Sequence, residues 1–197
     1  MQDTSKRAAL VVARIMAGVA LLSVAAFAGT QACSYPDKTA ITEVAAPDYN
    51  QFKGVNLTAT QAGVSRVLEL RCGSLDCHGQ VGRPLRIYGE FGLRFVDGDA
   101  DNQPGLGVTT EVEFEANYQS VIGLEPEIMS LVYLGYEPPE ALMLLRKPLQ
   151  LERHKGGAVF VDGDDAYNCI TSWLESGGDA GVTTDYTSCG LAVATSP

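Results

Sequence analysis

The sequence predicts a mainly α domain with one short β-hairpin and long loops. Three observations carry that expectation. Apolar residues recur at helical spacing in several separate segments, strict alternation occurs only around one Gly-Glu-Phe-Gly stretch, and glycine and proline punctuate the chain between them. No internal repeat is present, and residues 58–197 are enough for a single domain with its own core.

The amino end reads as a targeting segment. Lys6, Arg7 and Arg14 precede the uncharged apolar run Ile15–Gly29, and small residues follow it. A basic flank, a short apolar run and small residues describe an export signal. The run is also too short for a membrane span, which needs roughly 20 residues. The stretch "AGTQACSYPD" resembles a bacterial lipobox ending at Cys33, although Thr30 and Gln31 depart from its usual residues; ordinary cleavage after Ala28 or Ala32 is the alternative. Cysteine parity favours lipidation, because five cysteines less Cys33 leave four for pairing or cofactor attachment. Residues 1–32 are thus the expected signal, 33–57 a lipid-anchored tether marked by Pro36 and Pro47, and 58–197 the domain.

Charge narrows the partners. Fourteen Lys and Arg less Lys6, Arg7 and Arg14 leave 11, and 24 Asp and Glu less Asp3 leave 23, so residues 33–197 carry a net −12. Such a chain repels nucleic acid and anionic lipid, and suits a basic protein or redox partner.

Within the domain, Thr58 to Cys72 predicts the first helix, with Thr58 as cap and Val64, Val67, Leu68 and Cys72 on one apolar face. Gly73 then breaks it. Pro84 to Phe95 predicts the hairpin, since Leu85 and Ile87, then Leu93 and Phe95, alternate with polar residues. Asp97 to Gly107 is a loop. Its Asp97, Asp99 and Asp101 have calcium-loop spacing, but Asn102 stands where such a loop requires glycine, and no glutamate closes it. Thr110 and Glu113 form a capping-box pattern ahead of Phe114, Tyr118, Val121 and Ile122, with a stop near Gly123. A short helix is expected from Pro126 with Ile128, Met129 and Val132, and another turn or two between Pro139 and Pro148. The last helix starts at Asp162 or Asp164 and presents Ala166, Cys169, Ile170, Trp173 and Leu174 inward; Gly177 and Gly178 end it.

The chemistry centres on "RCGSLDCHGQ". Four residues separate Cys72 from Cys77, and His78 follows directly. Thioether attachment of haem needs two thiols and an axial ligand beside the second, and Cys77-His78 meets the latter requirement. The usual spacing is two residues, so Gly73-Ser74-Leu75-Asp76 must bulge. From Val64 to Gly79 the chain resembles the c-type cytochromes, in particular those with a lengthened CxxxxCH motif; the likeness is looser to Glu175. The resemblance implies a small cytochrome-c-like helical domain and an electron carrier, not an enzyme. Its haem c would be attached at Cys72 and Cys77, with His78 as the proximal iron ligand. Such a protein would sit on the periplasmic side of a bacterial envelope.

The chain's second histidine, His154, is the first candidate for the other axial position, with Met129 and Met143 behind it. Gly156 and Gly157 would let the backbone pass close to a flat cofactor. His78 and His154 are expected to face one cavity, lined by Val67, Phe114 or Trp173. Arg83, Arg86 and Arg94 are candidates for pairing with haem propionates, or are simply the wet side of the hairpin. Two other readings stay open. Cys72 and Cys77 could close a disulfide loop in an envelope lipoprotein with a binding or structural role and no cofactor, or could join His78 and His154 as zinc ligands. Separately, Cys169 on its helix face and Cys189 in the tail are expected to pair.

Overall fold

Helix starts follow local chemistry closely. The computed structural model describes residues 43–95, 107–177 and 182–196, and within it a folded unit begins at Val44. Its α-helices are α1 (Tyr49–Lys53), α2 (Val64–Cys72), α3 (Glu111–Ile122), α4 (Pro126–Tyr133), α5 (Met143–Arg146), α6 (Asp165–Leu174) and α7 (Tyr186–Ala194), with a 3₁₀ turn at Pro139–Ala141. Helix α3 carries the full capping box: Thr110 accepts from the Glu113 backbone N–H, and the Glu113 carboxylate accepts from the Thr110 N–H. Pro126 opens α4, where its missing N–H costs nothing. Asp164 caps α6 by accepting from the Tyr167 N–H.

The core joins α1, α2, α3, α6 and α7. Phe52, Val67, Leu68, Ile170, Trp173 and Leu174 are fully buried there, each contributing about 1.5–3 kcal/mol of apolar transfer energy. Phe52 packs on Trp173 with ring centroids 5.1 Å apart, and Tyr118 meets Phe52 at 5.6 Å. A Cys169–Cys189 disulfide, Cα–Cα 4.8 Å, ties α7 to α6 as expected.

Four expectations are corrected. The folded unit starts at Val44, ahead of Thr58: Phe52 is buried, Trp173 donates to the Asp48 carbonyl, and Tyr118 donates to the Pro47 carbonyl. The end of the expected tether is therefore core. Helix α2 starts at Val64; Thr58 instead sits in a turn, held by Gln61, and Gly63 is the cap residue. The carboxyl tail holds α7, with the Asp185 carboxylate accepting from the Thr187 and Ser188 N–H groups.

The hairpin also fails, since no strand occurs among the described residues. The two arms of 84–95 pair with other groups. The Ile87 N–H donates to the His78 carbonyl and the Leu93 N–H to the Gly79 carbonyl. The Asn117 side chain takes both the N–H and the carbonyl of Tyr88. Buried Asn117 on α3 thus does the work of a neighbouring strand. This layering needs glycine at 79, where a Cβ would lie 2.0 Å from the Gly73 carbonyl oxygen and 2.7 Å from the Gly92 Cα.

The expected signal, Cys33 and the Asp97, Asp99 and Asp101 loop lie outside the described residues. Among the described residues no helix is long and apolar enough to cross a membrane.

Candidate functional site

Helix α2 delivers Cys72 at its last turn, and Gly73 ends it by donating to the Glu69 carbonyl. The chain then coils tightly. The Cys77 and Gly79 N–H groups donate to the Ser74 carbonyl, and the His78 N–H returns to the Cys72 carbonyl at 2.8 Å. The four-residue insert is thus a closed turn at the helix end, and it keeps Cys72, Cys77 and His78 on the wall of one cavity of about 870 Å³.

His154 stands on the opposite wall. Its ring centroid lies 6.3 Å from that of His78, with the ring planes inclined by only 19°. The separation is too large for stacked rings in contact. Both histidines are oriented from behind: His78 Nδ1 lies 2.9 Å from the Leu85 carbonyl oxygen, and His154 Nδ1 lies 2.9 Å from the Gly157 carbonyl oxygen. A carbonyl can only accept, so each Nδ1 carries the hydrogen and each neutral ring keeps its lone pair on Nε2. For His78 the neutral form is further favoured because burial lowers its pKa, against the opposing Leu85 bond.

The turn at His154 depends on glycine. Gly157 adopts φ +74°, and a Cβ at Gly156 would lie 3.0 Å from His154 Cε1. Side-chain freedom at 154 is therefore limited by its own loop.

Both thiols are free. Cys72 is buried, and that burial, with Cys77 beside it, pushes its pKa up to about 12, so it is a neutral thiol at physiological pH. The alternative Cys72–Cys77 disulfide is not formed. Among the described residues no three His, Cys, Asp or Glu side chains are grouped as a metal site requires, so the four-ligand zinc arrangement is not assembled.

No family model, curated protein or solved structure matches the chain.

Of the methionine candidates, Met143 on α5 lines the cavity, whereas Met129 is buried in the core away from it. Of the three arginines, only Arg83 lines it, with its Nε donating to the Cys77 carbonyl at 3.1 Å. Arg86 lies over the Tyr88 ring at 4.5 Å, and Arg94 forms a buried pair with Glu113 at 2.7 Å. The expected wall of Val67, Phe114 or Trp173 is also corrected. Val67 and Trp173 belong to the core, and Phe114 meets Lys53; the apolar wall is Leu85, Leu124, Leu144, Pro148 and Val159.

The residues missed from the sequence are cations: Arg71, Lys147, Arg153 and Lys155 line the same cavity. A signal was present in "LERHKGG", where two cations flank the one histidine in an acidic chain.

Proposed function

We propose that the protein is an exported, lipid-anchored electron carrier holding one haem c, with thioethers at Cys72 and Cys77 and axial ligands at His78 and His154. The observation that carries the reading is the facing pair of imidazoles, each with Nδ1 tied to a backbone carbonyl and Nε2 left to bind. This orientation from behind is the recurrent support of metal-bound histidine. His78 and His154 would hold the iron through their Nε2 atoms, their rings standing 6.3 Å apart on one cavity.

The surrounding residues fit the group. A cavity of about 870 Å³ falls in the range of cofactor pockets. Leu85, Leu124, Leu144 and Val159 suit a macrocycle face, and Arg83 suits its carboxylates. A pair of axial ligands is sufficient, since the porphyrin supplies the other four nitrogens. Haem would provide a one-electron iron couple, with its potential set by axial ligation and burial. The chain's own part is to hold two imidazoles by their Nδ1 atoms, bring the thiols to the same wall and exclude water with apolar side chains. Cys33 would carry the lipid, and electrons would pass to a redox partner protein.

Expression of the full chain in a bacterium equipped for haem c maturation tests this. The polypeptide should stay coloured after denaturation and gain the mass of one haem on the peptide containing Cys72 and Cys77. The reduced spectrum should be that of a six-coordinate low-spin site, converting to five-coordinate in His154→Ala. A colourless chain with a Cys72–Cys77 disulfide would sink the proposal in favour of the cofactor-free lipoprotein. Mass spectrometry of the mature amino-terminal peptide tests lipidation at Cys33; an unmodified Cys33 in a chain starting at Gly29 would refute it.

A further inference from the structure

Net charge alone suits a basic partner. The placement of the cations argues otherwise for the one face that matters. Five of the 11 Lys and Arg in residues 33–197 line the cavity, against a single lining carboxylate, Asp76. We propose that the mouth of this cavity docks an acidic protein that is itself a one-electron carrier. The proposal rests on the haem reading of the site.

Three of the five cations are already engaged. Arg71 donates to Ala192, Thr195 and Ser196 at the end of α7, Lys147 pairs with Glu152 at 2.9 Å, and Arg83 donates from Nε to the Cys77 carbonyl at 3.1 Å. The neighbouring carboxylates Glu125 and Glu152 also face Arg146. Arg83, Arg153 and Lys155 are all exposed, and they come from the two loops that carry His78 and His154. Beside them the His78 loop exposes two apolar side chains, Leu75 at 43 % and Val81 at 70 %. Apolar contacts next to arginine are the composition of a protein interface. The other residues of 33–197 carry 6 Lys and Arg (11 less 5) against 22 Asp and Glu (23 less 1), so on balance they repel an acidic partner and this face orients it during approach. An anionic membrane has the right charge as well. Lipid, however, would cover the mouth through which electrons exchange. The exchange itself moves one electron from the reduced site to the oxidised partner, with no bond made and no proton transferred.

The test uses the haem-loaded full chain, reduced, and two inorganic oxidants of opposite sign. These are the hexacyanoferrate(III) trianion and the hexaammineruthenium(III) trication. Each takes one electron, and stopped-flow absorbance gives the rate. If the cationic mouth governs approach, oxidation by the anion slows about tenfold or more as ionic strength rises from about 0.01 M to about 0.5 M. Arg153→Glu with Lys155→Glu should abolish that slope, and Lys53→Glu on α1, which removes the partner of Glu111 on α3, should leave it. A peptide of about ten glutamates should slow the anion at low salt by occupying the mouth. The opposite slope, with the trication favoured at low salt, means net charge governs and overturns the partner. So does protection from the anion by phosphatidylglycerol vesicles at physiological salt, which assigns the face to lipid. A chain that takes up no haem overturns the reading of the site and the partner together, whereas a loaded chain with the wrong slope overturns the partner alone.

Discussion

Replacing Arg94 with methionine tests the structural role that its buried pair with Glu113 assigns it, against the propionate anchor that the sequence left open. The side chains of Arg94 and Glu113 are 1 % and 0 % exposed. Nε and Nη2 of Arg94 meet the two carboxylate oxygens at 2.7 Å each, Nη2 also donates to the Val108 carbonyl at 2.8 Å, and Nη1 donates to the Gly107 carbonyl at 3.2 Å. Methionine keeps the aliphatic volume but removes the charge. Among the described residues the Glu113 carboxylate then keeps its Thr110 and Phe95 donors. Orphaning one member of a buried ion pair costs about 3–5 kcal/mol. For a unit of this size that lowers the melting temperature by about 6–20 °C. The acid limb should change as well. Burial acts to raise the Glu113 pKa, but the Arg94 bonds and the Thr110 and Phe95 N–H groups outweigh it and hold the group below its ordinary 4.5. A depressed carboxylate stabilises the fold above the unfolded pKa, and that contribution disappears as pH falls through the folded value. Thermal and urea unfolding across pH give both quantities. Arg94→Met with Glu113→Gln should recover more than half of the loss, because glutamine is neutral and retains the capping-box geometry. If Arg94→Met unfolds within about 1 kcal/mol of the parent while haem uptake falls, the buried-pair reasoning is refuted.

Other outcomes follow from the same structure. Burial raises the pKa of Glu69 despite the opposing hydroxyls of Thr109 and Ser65 and the charge of Arg66, so the folded state holds that proton more tightly than the unfolded one. Stability should therefore fall as pH rises from about 4.5 through the raised value, and Glu69→Gln should flatten that slope in urea melts; an unchanged slope would contradict it. Cys169→Ala with Cys189→Ala opens a loop of 20 residues and should cost about 3 kcal/mol, measured by urea unfolding against the parent under non-reducing conditions. Gly156→Ala places a methyl 3.0 Å from His154 Cε1, so the ring must shift by a few tenths of an ångström. The His154 ring NMR resonances of the unloaded protein should move, with stability changed by less than about 1 kcal/mol. Unmoved resonances would show that the turn does not position the ring.

Helix starts set by a side chain were legible in the sequence because the signals are local. Thr110 with Glu113, Pro126, and Asp164 each satisfy or remove an orphan N–H within one turn. Helix α2 escaped that reading because its cap, Gly63, makes no side-chain bond at all. The inward face of α6 was legible for a similar reason, since Ala166, Cys169, Ile170, Trp173 and Leu174 share one side by helical period.

What the sequence alone determined is the inventory: one thiol pair beside a histidine, one other histidine before two glycines, and a surplus of acid. Only the tertiary structure decided how these meet. Alternation around Gly89–Gly92 looked like a hairpin, yet Asn117, about thirty residues away, took the backbone groups of Tyr88. Arg83 and Arg94 sit in one short segment, but one reaches the cavity and the other a buried carboxylate, because α3 presents Glu113 beneath Arg94. The convergence of His78 and His154 spans 76 positions. No local pattern encodes it; it arises because α2, α5 and the loops after them share one apolar wall, and burying that wall sets the distance between the rings.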